Sequence, residues 1–89
     1  MNGSKFKLFI YGRSSANEKM IRNMRRICRE KGCNAWDLAV IDVSVDPGPA
    51  ALEKVFVTPT LVEKNRWRKR RWVGDLSVRE RVLSGLDMS

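Results

Sequence analysis

Apolar positions along this chain change period several times, and the changes mark its elements. Phe6 to Gly12 is a near-continuous apolar run ended by glycine. Such a run reads as a strand covered on both faces, at the centre of an α/β sheet. After the polar loop Arg13–Asn17, apolar residues recur at Met20, Ile21, Met24, Ile27 and Cys28. That spacing of i, i+1, i+4, i+7, i+8 predicts an amphipathic helix from Glu18 to about Lys31. Ser15 or Asn17 is its expected N-cap, and Gly32 follows its end. Trp36 to Val43 returns as a second strand. A strand, a helix and a strand in succession imply a parallel crossover.

The second half is more punctuated. Asp46-Pro47-Gly48-Pro49 reads as a turn and helix start, with Asp46 as N-cap and Pro47 at the first helical position. Ala50 to Val55 follows as a short helix. Val57-Thr58-Pro59-Thr60-Leu61 then interrupts an apolar run with a proline, which has no backbone donor and holds the residue before it extended. Thr58-Pro59 is a candidate cis bond before the strand Thr60–Glu63; a trans proline opening an edge strand is the alternative. Lys64 to Lys69 form a polar turn, Arg70 to Val73 a returning antiparallel strand, and Gly74 ends it. Ser77 with Glu80 is a capping-box pair opening a last helix, with Leu76, Val82, Leu83 and Leu86 on one face.

The element order is then β-α-β-α-β-β-α in a single domain over residues 1–89, with residues 1–4 a flexible start. This resembles the thioredoxin-like arrangement, an α/β fold with a mixed four-stranded sheet. The last segment satisfies a second pattern as well. Leu76, Val78, Val82 and Leu86 share one parity, so a strand period is nearly met alongside the helical one. Residues 6–43 commit strongly to their elements, and the C-terminal third does not.

Charge sharpens this picture. The formal net charge is +8 over 89 residues. Residues 18–31 carry six Lys/Arg against two Glu, and residues 63–72 carry six against one. All other positions hold six Lys/Arg against seven acids, so the excess sits in two segments. One is the polar face of the first helix. The other is a candidate basic patch, Arg66, Arg68, Lys69, Arg70 and Arg71, flanked by Trp67 and Trp72. Arginine contacts phosphates and tryptophan stacks on unpaired bases, so a nucleic-acid reading of Arg66–Trp72 stands beside that of a solvated hairpin tip with one tryptophan turned inward. A basic surface also steers docking onto an acidic protein.

Catalytic chemistry finds little footing. Thiol–disulfide exchange on a thioredoxin-like fold needs a low-pKa cysteine at the start of the first helix. Ser14 and Ser15 stand there instead. Cys28 and Cys33 are five apart, and the chain has no histidine, so neither a redox Cys-x-x-Cys nor a zinc set is present. No enzyme activity, metal or cofactor is expected. No apolar run approaches a membrane span, and no secretory leader is read at residues 1–12, so the expected location is the cytoplasm.

Several motifs together resemble the KaiB family of circadian-clock and clock-related proteins. They are Leu8-Phe9-Ile10-Tyr11-Gly12, Val40-Ile41-Asp42-Val43, Pro47, Val57-Thr58-Pro59-Thr60-Leu61 and, most specific, Gly74-Asp75-Leu76-Ser77 followed by Arg79-Glu80 and Val82-Leu83 with Gly85-Leu86-Asp87. The resemblance implies two folds. One is thioredoxin-like with a cis proline at Pro59. The alternative is a ground-state fold, dimeric or tetrameric, in which about residues 46–89 rearrange. It further implies a non-enzymatic regulator that docks on a KaiC-type ATPase ring and, in full clocks, engages KaiA. Carried onto this chain, the docking residues are Asp46, Pro47, Ala51, Glu53, Lys54 and Thr58, and the cis-proline and fold-switch positions are Pro59, Gly74 and Asp75. A sensor-like module of the SasA clock kinase, which stays thioredoxin-like, is the alternative within the same resemblance. The segment from Asn65 to Trp72 differs from the proline-containing hairpin of clock-type members.

Overall fold

The structure, a computed structural model, describes residues 5–30 and 38–74. Within them four strands and two helices follow in order: β1 (Lys5–Ile10), α1 (Ser15–Glu30), β2 (Leu38–Asp42), α2 (Gly48–Glu53), β3 (Thr60–Lys64) and β4 (Lys69–Val73). The strands form one sheet in the order β2-β1-β3-β4. β1 pairs parallel with β2 and antiparallel with β3, and β3 pairs antiparallel with β4. This is the mixed four-stranded sheet of a thioredoxin-like fold. The expected helix after Gly74 and the positions Gly32, Cys33, Trp36 and Asp75 lie outside the described residues.

The apolar run of β1 is explained by its central place. Phe6, Leu8 and Ile10 face α1, and they pack with Met20, Ile21, Met24, Ile27, Cys28, Leu38 and Leu61. Phe9 faces the other way, against Ala50, Val55 and Val62 under α2. Each of these large side chains contributes about 1.5–3 kcal/mol by leaving water. Trp72 is partly buried against the α1-side core, whereas Trp67 stays 79% exposed.

Three local expectations are corrected. Ser14, not Ser15 or Asn17, caps α1: its Oγ accepts the Asn17 backbone N–H at 3.1 Å. Asn17 is otherwise engaged, since its side-chain amide donates to the carbonyls of Gly12 (2.8 Å) and Tyr11 (3.3 Å). Asp46 does not cap α2. Its backbone N–H donates to the Asp42 carbonyl at 2.9 Å, so residues 42–46 close a turn of their own. The N-cap is Pro47, in helical geometry and without a side-chain cap bond, and Pro49 fills an early helical position whose missing N–H costs nothing. Finally, α2 stops at Glu53 rather than Val55. Lys54 adopts the left-handed conformation (φ 58°, ψ 45°). The Lys54 and Val55 N–H groups then donate to Ala51 and Ala50, which is a Schellman closure.

Candidate functional site

The sheet places the candidate residues at one end and along one face. Where β1 and β2 finish, Asp42 gathers the loops. Its Oδ1 accepts from the Gly12 N–H (2.9 Å), the Ser44 N–H (3.0 Å) and the Ser44 hydroxyl (2.6 Å). These bonds, the Ser44 hydroxyl first, hold the Asp42 pKa below the usual carboxylate value. Gly12 sits at φ +84°, a conformation side chains rarely take. An open cleft of about 350 Å³ lies beside this loop, lined by Arg13, Val40, Ile41, Asp42, Val45 and Asp46. Arg13 and Ser14 form the turn into α1, and Ser15 and Ala16 its first positions, where an oxidoreductase of this fold would need its thiols.

The same end carries the Thr58-Pro59 peptide, which is cis. Thr60 Oγ1 donates to the Val57 carbonyl (2.5 Å), and the Gly74 N–H donates to the Pro59 carbonyl (3.0 Å). Pro59 and Gly74 are therefore direct partners at the start of β3 and the end of β4.

Beside them lies α2 and the segment that follows it. Asp46, Pro47, Ala51 and Lys54 are exposed, and Thr58 is half-buried. Leu52 (86%), Phe56 (87%) and Val57 (57%) expose apolar side chains on the same segment. Of the consecutive apolar residues Val55, Phe56 and Val57, only Val55 enters the core. The signal for this in the sequence is the Thr58-Pro59 step that follows, which neither a helix nor a strand ladder carries through.

Glu53 differs from its neighbours. It turns under the sheet, with Oε2 3.1 Å from Lys7 Nζ and Oε1 2.6 Å from Lys69 Nζ. The bond to Lys69 first, then that to Lys7, lowers its pKa to about 2. Arg71 completes the join by donating to the Glu53 (2.8 Å) and Lys54 (3.3 Å) carbonyls.

The basic patch divides accordingly. Lys69 and Arg71 clamp α2. Arg70 meets the buried Glu63 through Nε (2.9 Å) and Nη2 (2.7 Å), and lies over the Trp72 ring at 5.5 Å. Arg66 and Arg68 stay exposed at the turn, where Asn65 Oδ1 accepts the Trp67 and Arg68 N–H groups. Among the described residues no cluster of His, Cys, Asp or Glu could hold a metal ion, and no helix is long and apolar enough to cross a membrane.

A KaiB domain model matches residues 7–88. The chain belongs to the KaiB family. It is 39% identical over 88 residues to the circadian clock protein KaiB3 of Synechocystis, covering 99% of this chain and 86% of that one. It is 38% identical over 82 residues to the circadian clock oscillator protein KaiB of a Synechococcus, covering 92% and 74%. Among solved structures it resembles the N-terminal domain of Synechococcus elongatus SasA, with a TM-score of 0.75 at 16% identity over 99% of this chain and 83% of that one. It equally resembles thioredoxin 1 of Thermosipho africanus, with a TM-score of 0.75 at 21% identity over 94% and 91%. These two likenesses establish the thioredoxin-like fold of this KaiB-family chain.

Proposed function

We propose that this protein is a non-enzymatic clock regulator that docks on a KaiC-type ATPase ring through α2 and the segment up to Pro59. The observation that carries the reading is the exposed apolar strip Leu52, Phe56 and Val57 on that segment, beside Lys54, in a chain of the KaiB family. Exposed apolar side chains rimmed by polar ones suit a protein interface. Asp46, Pro47, Ala51 and Lys54 are exposed on the same stretch of chain, and half-buried Thr58 closes it before Pro59. Glu53 supports the surface from beneath by fixing the end of α2. In this reading the thioredoxin-like form is the docking form, and the rearranged form of about residues 46–89, a dimer or tetramer, is its store. KaiA or a sensor kinase is the further partner in a complete clock, and the setting is cytoplasmic.

The test is a pull-down with a KaiC-type ATPase, comparing the wild type with Lys54→Glu and Phe56→Ala. Both variants lose capture if the reading holds. Undiminished capture by both removes this surface from the proposal.

A further inference from the structure

The tip of the β3–β4 hairpin lies outside the docking surface and has its own chemistry. Residues 64–72 hold six cations and no acid. The register sets Lys5 opposite Lys64, and Lys64 opposite Lys69, so three lysines form one row across three strands. Neighbouring strands are only about 4.8 Å apart, and like charges set directly opposite are unfavourable. Glu53 meets this row at Lys69. Directly beyond the row, the turn presents Arg66, Trp67 and Arg68 to solvent. Trp67 is 79% exposed, and Arg66 lies over its ring at 5.3 Å. The turn is held in shape by the two N–H bonds to Asn65 Oδ1, so the tryptophan is displayed from a fixed loop.

We propose that this tip and the lysine row beneath it bind single-stranded nucleic acid. Lys5, Lys64, Arg66 and Arg68 take phosphates, and Trp67 offers its open ring face to an unpaired base. The exposed tryptophan decides between polyanions. A carboxylate-rich peptide uses the cations and leaves the ring idle, and a duplex keeps its bases stacked inside. A single strand uses both, and the contact is tolerant of sequence because every base has a stacking face. Lys64 and the tip are contiguous in the chain, and β1 brings Lys5 alongside them from the neighbouring strand. It is independent of the ATPase-docking reading.

The experiment is fluorescence anisotropy of the full chain with a labelled mixed-sequence 12-nucleotide DNA, its RNA counterpart, the corresponding duplex, and polyglutamate, from 50 to 200 mM salt. With four phosphate contacts, binding of the single strands weakens roughly fifty-fold across that range. Trp67→Ala weakens it about tenfold at fixed salt with the salt slope unchanged, and Trp67→Phe recovers most of the loss. Arg66→Gln with Arg68→Gln flattens the slope by about 1.4. All these positions lie in an exposed turn, and circular dichroism checks that each variant is folded. Equal binding of polyglutamate or duplex, or indifference to Trp67→Ala, overturns the proposal and leaves the tip a general polyanion surface.

Discussion

Lys69 on β4 reaches Glu53 at the end of α2 with 2.6 Å between Nζ and Oε1, and the same carboxylate holds Lys7 of β1 at 3.1 Å. One acid thus ties a short helix to two strands that do not touch each other in the sheet. The Glu53 side chain is 11% exposed while both lysines are over 40% exposed. The lysines remain in contact with water, so the pair energies are partly screened.

A pH dependence follows. The folded Glu53 pKa is about 2, below the 4.5 of the free group. A depressed acid contributes stability that is present above pH 4.5 and lost as pH falls toward 2. The full shift would correspond to roughly 3 kcal/mol, and screening at the lysines reduces the expected contribution to about 1–2 kcal/mol. Urea unfolding at pH 7 and pH 3 measures it. Glu53→Gln removes most of that difference and is itself destabilising by about 1 kcal/mol at pH 7.

Glu63 and Arg70 face each other across β3 and β4, and Glu63 is fully buried. Breaking such a pair from one side leaves a charge without its partner in low dielectric. Arg70→Met is therefore expected to cost about 3 kcal/mol, while Glu63→Leu combined with Arg70→Met costs less than either single change. A double-mutant cycle in urea checks this. Additive single effects would show that the two charges are not coupled.

Much of this architecture is legible in the sequence, and the division has physical causes. β1 and α1 announce themselves because burial on both faces and a helical stripe are local patterns, readable from Phe6–Gly12 and Met20–Cys28 alone. The interruption at Pro59 is equally local, and the structure makes it the turn into β3. Asp46 is a good cap by type, but α2 starts one residue later than that cap requires, with Pro47 at the N-cap and no side-chain cap bond. Glu53 carries no local signal: its partners are 46 residues before it and sixteen after, and only the sheet order β2-β1-β3-β4 brings them together. The patch Arg66–Arg71 reads as one charge run, yet alternation along β4 sends Arg70 to the α1 face and Lys69 and Arg71 to the α2 face. The family is recognisable through motifs, while the exposure of Leu52, Phe56 and Val57 depends on where α2 ends and the chain turns into β3.

Asp42 makes a kinetic prediction at the far end of the sheet. Its carboxylate holds the Gly12 and Ser44 N–H groups, so Asp42→Ala should speed hydrogen exchange at those two amides with little change in the core strands. Asp42→Asn keeps one acceptor oxygen and should retain part of the protection. In the wild type the protection persists as pH is lowered past the ordinary carboxylate range, because the same bonds hold the Asp42 pKa down. Unchanged exchange in Asp42→Ala would mean that Asn17 and the backbone alone hold the loop.

Lys54 occupies the left-handed position that ends α2, at φ 58°. Helices commonly place glycine there because a Cβ is unfavourable in that region, by about 1 kcal/mol. The two N–H bonds that close the helix come from the backbone, as do the carbonyls that Arg71 grips, so none depends on the lysine side chain. Lys54→Gly should therefore leave the closure intact and raise stability by about 0.5–1 kcal/mol, read as a higher urea midpoint with an unchanged slope. The docking reading makes the opposite demand on the same residue: the variant gains stability but loses the cation at the edge of the Leu52–Phe56–Val57 strip. A more stable protein with weaker capture by the ATPase ring would separate the backbone role of Lys54 from its side-chain role. A less stable one would show that the lysine side chain itself holds the turn.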